Sequence, residues 1–185
     1  MLAFFMFVFV MAWTPGPNTI MSMVSGQQRG FKNSLRLNLG MFIGVGIIGL
    51  IAALFANWLK NTPEFIFSMK IIGSCYLAYL TYHVFISTPE NTDNKVGDFN
   101  TGILLQLTNI KVYLFFITGL SAFTLDGVLE KISVRWLAMV LISGAGTIAW
   151  TIFGQVINRV YQRYYRYINT IVSFLLVLSI IDLWH

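Results

Sequence analysis

The chain has 185 residues, 57% of them hydrophobic and only 10% charged, with a formal net charge of +5. A soluble domain runs to about 45–50% apolar and about 25% charged residues, so this composition excludes an ordinary water-soluble fold. Its twelve Lys and Arg are spread between apolar stretches, as in membrane-protein loops, rather than massed into a nucleic-acid-binding patch.

Six apolar stretches follow one another, at about residues 1–22, 37–58, 66–86, 101–124, 136–157 and 167–184. Each is close to the ~20 residues an α-helix needs to cross the hydrocarbon core. The first has neither a basic n-region nor a small-x-small cleavage site, so it reads as a retained membrane segment and not a signal peptide. It is interrupted by Thr14-Pro15-Gly16-Pro17-Asn18. Pro15 and Pro17 cannot donate backbone hydrogen bonds, so carbonyls about one turn earlier, around Met11 and Trp13, lose their helical partners. Gly16 permits unusual dihedrals and the close approach of a ligand. A half-helix restarting near Asn18 would present free amides and a partial positive charge, a setting for a substrate carboxylate. Broken backbone at membrane depth is tolerated only where protein packs on it or where it lines a wet cavity. On these residues alone, a proline-kinked helix without a ligand stays equally open.

In the second stretch Gly40, Gly44, Gly46 and Gly49, and in the fifth Gly144 and Gly146, read as sites of close helix packing. Lys70 lies near the start of the third, where its ammonium can snorkel to the interface. Cys75 is the only cysteine, which excludes an internal disulfide, and it reads as a small buried residue rather than a reactive thiol. The polar segment "STPENTDNKVGDFN", residues 87–100, divides the chain almost in half.

Lys111 sits inside the fourth stretch, about ten or more residues from either end. Burying a lysine near a helix centre costs about 2.5–3.5 kcal/mol on insertion scales, so a cavity or a partner is expected. None of the seven Asp and Glu lies deep in a stretch, and Asp182 falls near the membrane edge beside Trp184, an interfacial anchor. A transiently bound carboxylate would serve Lys111 as a partner; snorkelling or ligation by backbone carbonyls is the alternative. Asn18, Asn38, Gln106 and Asn109 can hydrogen-bond an ammonium or a small polar side chain, or each other across helices. Tyr113 and Trp150 read as aromatic core, and His83 and His185 as residues near the interface.

Arg29, Lys32, Arg36, Lys95, Arg159, Arg163 and Arg166 fall in the loops of one side, and Lys60, Lys70, Lys131 and Arg135 on the other. The positive-inside rule puts the first set in the cytoplasm and both termini outside. The halves are weakly alike at an offset of roughly 93–100 residues: "GMFIGVGI" faces "ISGAGTIAW", and "TPGPN" falls near "LTNIK". With three spans per half such a repeat is inverted, as in many transporters whose sites lie at interrupted helices. The expected fold is therefore an all-α integral membrane protein of six transmembrane helices in two inverted three-helix repeats. It forms a single domain over 1–185, with repeat 1 at about 1–86, a linker at about 87–100 and repeat 2 at about 101–185. Span 1 is expected to break near the midplane, with a matching break in span 4 left open.

"TPGPN", then "GFKNSLRLNLGMFIGV", then "LTNIKVYLFF" resemble the LysE/RhtB family of amino-acid exporters, over essentially the whole chain. "LQLTNIKVYLFFITGLSAFTL" and "GTIAWTIFGQVINRVYQRYYRYINTIVSFLLVL" resemble its cysteine and O-acetylserine branch in particular. Many members have Asn-Pro-Lys where this chain has Asn109-Ile110-Lys111. The missing proline weakens the expectation of a sharp break in span 4, while favouring that branch. The resemblance implies a multi-pass exporter in a bacterial plasma membrane, the inner membrane if Gram-negative, for small neutral amino acids or related metabolites.

Substrate contacts are expected at Pro15, Gly16, Pro17, Asn18, Asn109 and Lys111. The lack of a buried carboxylate suits a neutral zwitterion rather than lysine or arginine. No GxxxxGKS phosphate loop is present, so the proton gradient is the expected energy source. No cofactor, metal or nucleic acid is implied; the partners are the bilayer and a small zwitterionic amino acid or metabolite, with a homo-oligomer left open. Export of homoserine or threonine is the alternative within this class. Outside it stand a non-transporting membrane subunit and an intramembrane enzyme, such as a Ser-Lys hydrolase using Lys111 with Ser22, Ser25 or Ser121. The chain carries no HExxH, no GxSxG and no pair of acids at depth.

Overall fold

The structure, a computed structural model, describes residues 1–60, 62–88, 97–123, 125–182 and 184, with backbone alone at 56–60, 65, 66, 69 and 182. Pro89, Lys95 and His185 lie outside the described residues, as do the side chains of Lys60 and Asp182. Among the described residues every regular element is helical: α1 (Leu2–Trp13), α2 (Pro17–Lys60), α3 (Pro63–Ile86), α4 (Phe99–Leu107), α5 (Ile110–Ser121), α6 (Ile132–Val156) and α7 (Asn158–Asp182), with a 3₁₀ turn at Gly127–Glu130. By length and composition three helical stretches can cross a membrane: Pro17–Phe55, Ile132–Val156 and Asn158–Ile181. A fourth is α4 with α5, bent by 63° between them.

The long α2 is two helices in one. At Gly30 the backbone takes φ 73 and ψ 169, a region that only glycine populates readily. Hydrogen bonds across this point show a reversal: Ser25 Oγ donates to Ser34 Oγ at 2.9 Å and Ser22 Oγ to Met41 Sδ at 3.4 Å. The arms 17–29 and 31–54 are therefore antiparallel, and almost no loop separates the first two apolar stretches.

Glycines set how the arms meet their neighbours. A Cβ on Gly26 would run into the Thr151 carbonyl, and one on Gly154 into that of Met23, so the first arm lies on the main chain of α6. The second arm crosses α4 in the same way, Gly40 against the Phe99 carbonyl and Gly102 against that of Leu37. A Cβ on Gly49 or on Gly144 would stand 2.6 Å from an aromatic ring, and one on Gly146 3.0 Å from the Ala12 carbonyl. Gly46 has more room, with Trp136 at 3.7 Å.

Along α3 runs α7. Asn169 Nδ2 donates to the Ser87 carbonyl at 2.8 Å, Ser173 Oγ to that of Thr81 at 3.4 Å, and Trp184 Nε1 to Ser74 Oγ at 2.9 Å. Gly73, Leu77, Leu80 and Val84 form the buried face of α3. Cys75 lies on the opposite face and is exposed, against the expectation of a buried residue. An apolar run in a membrane helix is apolar on its lipid side as well as its packed side, so hydropathy alone does not separate the two.

At one end of the molecule the first arm meets α3, α6 and the start of α4. Gln28 Nε2 donates to Ser87 Oγ at 2.7 Å, Phe31 N to Gln155 Oε1 at 2.6 Å, and Gly97 sits against the Arg29 guanidinium. Arg135 stands just before the expected fifth span, and α6 begins early enough to include it. It is buried in the first turn of α6, and its Nη1 donates to the carbonyls of Leu120 at 2.9 Å and Phe123 at 3.2 Å, its Nη2 to that of Glu130 at 3.0 Å. A cation there serves the negative end of α5.

Gly154→Val should lower the thermal unfolding midpoint of the detergent-purified protein, because main chain must shift to admit it; overpacking of this kind costs about 1–3 kcal/mol. Gly46→Ala, with room for its methyl, should leave the midpoint unchanged. Fluorescence-detected size-exclusion after a heating series reads both.

Candidate functional site

Two helix breaks face each other. The chain leaves α1 at Trp13 and enters α2 at Pro17; it leaves α4 at Leu107 and enters α5 at Ile110. Asn18 Nδ2 donates to Gln106 Oε1 at 2.9 Å, and Asn109 Nδ2 to Asn18 Oδ1 at 3.3 Å. A Cβ built on Gly16 would stand 3.8 Å from Lys111 Nζ.

The second break forms without a proline. Asn109 turns out of the helix, with φ −94 and ψ 97, and caps α5 by accepting from Lys111 N at 3.0 Å through its Oδ1. That bond takes the Lys111 amide away from the Leu107 carbonyl, its ordinary helical partner. Tyr113 Oη fills the gap, donating to Leu107 O at 3.2 Å. In the first break Pro17 has no N–H for the Trp13 carbonyl, and Trp150 Nε1 donates to it at 3.1 Å instead. Tyr113 and Trp150 therefore act as donors to broken helix ends, a role beyond the aromatic packing expected of them. Their polar tips were the available signal, since a buried tyrosine or tryptophan in a membrane protein needs an acceptor.

Between the breaks and α6 lies a cavity of about 60 Å³. Gly16, Pro17, Asn18, Asn109 and Lys111 line it, with Gln106 from α4 and Ser143 and Thr147 from α6. Pro15 does not: it is exposed beside the break. Asn38 is elsewhere too, bonded to Thr151 Oγ1 at 2.9 Å and to the Ser34 carbonyl at 3.1 Å. Ser143 was not singled out from sequence, where nothing distinguishes it from other helical serines.

Among the described residues lining the cavity, Lys111 carries the one charged side chain. Among the described residues no side chain or carbonyl pairs with the Lys111 ammonium. The acids Glu64, Asp98, Asp126 and Glu130 are all exposed. Both α2 and α5 begin at the cavity, and each helix N-terminus adds about half a positive charge. Val45, Val112 and Phe115 supply apolar wall. Such a pocket suits a small molecule with an anionic group.

The LysE type translocator family matches residues 9–183. The chain belongs to this family. Among its relatives, the cysteine/O-acetylserine efflux protein of Salmonella typhimurium (strain LT2) is 29% identical over 191 residues, covering 99% of this translocator and 96% of the relative. The protein of the same name from Escherichia coli (strain K12) is 27% identical over 192 residues with the same coverage. No solved structure matches the translocator. Family membership bears out the resemblance carried by "TPGPN" and "LTNIK", and with it a membrane protein that moves a solute rather than an enzyme.

Trp150→Phe keeps the ring and removes the N–H, which leaves the Trp13 carbonyl without its donor. The expected loss is about 1–3 kcal/mol of stability, seen as a lower unfolding midpoint in detergent.

Proposed function

We propose that this translocator exports small neutral amino acids of the cysteine and O-acetylserine kind from the cytoplasm. The observation that carries the reading is the unpaired Lys111 ammonium, set in a small cavity where two broken helices meet. The substrate carboxylate pairs with Lys111. The amides at residues 18 and 19 assist, since Ile20 N is the first of α2 to find a backbone carbonyl, that of Gly16 at 2.9 Å. Gly16 and Pro17 give the carboxylate room, Asn18 and Asn109 hold the two breaks together, and Pro15 shapes the break from outside the cavity. With no buried acid to meet a second cation, long basic side chains are disfavoured. The names of the relatives, cysteine/O-acetylserine efflux proteins, point to the same substrates.

The arrangement proposed is six spans in two inverted repeats. Its support is that a break falls in each half of the chain, at 14–16 and at 108–109, and that the two breaks touch. The end that gathers Gln28, Phe31, Ser87 and Gln155 is taken as cytoplasmic, because Arg29, Lys32, Arg159 and Arg163 lie beside it in the chain. Both termini are then outside. The proton gradient is proposed as the energy source.

Uptake of labelled cysteine and O-acetylserine into inverted vesicles tests the reading. Lys111→Met, at matched protein level, should cut the rate roughly tenfold or more, because a desolvated carboxylate loses its cation. Lys111→Arg should retain part of it, the planar fork fitting poorly where a point charge sits. Uptake by Lys111→Met at the wild-type rate would make Lys111 structural and sink the proposal. For orientation, single cysteines at Lys32 or Arg163 in a Cys75→Ala background should escape an impermeant thiol reagent applied to sealed cells. Labelling of either overturns the assignment of sides.

A further inference from the structure

Lys111 gives the cavity a positive pole, and the C-terminal end of α1 supplies the opposite one. The last turn of a helix leaves four carbonyls without intrahelical donors, and they carry partial negative charge. Two in this turn of α1 are served: Val10 O by Thr14 N at 3.0 Å and Trp13 O by Trp150 Nε1 at 3.1 Å. The other two belong to Met11 and Ala12. Pro15 has no N–H to give to Met11 O. Gly16 N, which would serve Ala12 O, turns instead to Thr19 Oγ1 at 2.9 Å. Met11 and Ala12 both line the cavity that Lys111 lines.

The side-chain amide oxygens in the cavity are engaged. Gln106 Oε1 accepts from Asn18, Asn18 Oδ1 from Asn109, and Asn109 Oδ1 from the Lys111 amide. The amide groups that looked from sequence like ligands for an ammonium are thus holding each other.

We propose that the Met11 and Ala12 carbonyls receive the α-ammonium of the substrate, so that a free, charged α-amino group is what selects it. This rests on the export reading above, in which Lys111 holds the carboxylate. An α-amino acid carries both charges on one carbon, and a cavity of about 60 Å³ brings both poles within reach of a molecule that small. The side chain is left to Val45, Val112 and Phe115, with the Ser143 hydroxyl beside them; Thr147 Oγ1 is spent on the Gly144 carbonyl at 2.9 Å. An N-acylated or deaminated analogue offers no cation to the α1 carbonyls and gains nothing there.

Competition with labelled cysteine uptake in inverted vesicles carrying the full chain tests this. The probes are 3-mercaptopropionate, which keeps the thiol and carboxylate and lacks the ammonium, and N-acetylcysteine. Each should compete roughly tenfold or more weakly than unlabelled cysteine, the loss expected for charge-assisted hydrogen bonds. Pro15→Ala returns an N–H to Met11 O. It should raise the KM for cysteine several-fold while leaving inhibition by 3-mercaptopropionate unchanged, so that the preference between them narrows. Equal competition by cysteine and 3-mercaptopropionate in the wild type overturns the inference, and that measurement needs no variant to fold. A folded Pro15→Ala protein with the wild-type preference overturns it as well. Absence of any saturable cysteine uptake by the wild type would instead refute the export reading, and the inference would fall with it.

Discussion

Backbone groups in hydrocarbon must find partners, because each one left bare costs several kcal/mol. A chain that breaks two of its helices takes on that cost wherever a break meets hydrocarbon, and much of the interior is arranged to offset it. Trp150 and Tyr113 reach across to orphaned carbonyls, Asn109 caps α5, and Thr19 accepts from Gly16. What is left over faces the cavity. On the proposed reading, a polar molecule that enters there completes a set of hydrogen bonds that the fold began.

Much of this was legible in the sequence, and the exceptions have physical causes. "TPGPN" announces a break because proline lacks an amide hydrogen whatever surrounds it, and Lys111 announces a cavity or a partner because a lysine deep in a span is costly. The break at Asn109 is of another kind. An asparagine within a span is compatible with a straight helix, and only the turn of its side chain onto Lys111 N makes it a cap. Asn38 and Gln106 look alike in sequence, yet one is spent on Thr151 while the other lines the cavity. Cys75 differs from expectation because hydropathy places a residue along the membrane normal and says nothing about which way around the helix it points.

Selectivity has a simple basis in this arrangement. The site offers fixed positive charge from a lysine and two helix starts, and among the described residues no acid stands near enough to offset it. The end of α1 adds the opposite pole, and Val45, Val112 and Phe115 close the space between them. On the proposed reading a ligand is small, anionic where it meets Lys111 and cationic where it meets α1.

The glycine crossings carry a mechanical consequence. Where Gly26 and Gly154 join the first arm of α2 to α6, and where Gly40 and Gly102 join the second arm to α4, bare main chain rests on bare main chain. Nothing interlocks at such a joint. Two rods touching there can change angle and keep contact, whereas meshed side chains would first have to disengage. Both joints lie toward the end where Phe31 meets Gln155 and Gly97 meets Arg29. A lever held near one end sweeps its widest arc at the other, so rocking about these fulcrums moves the far face most and the near face least.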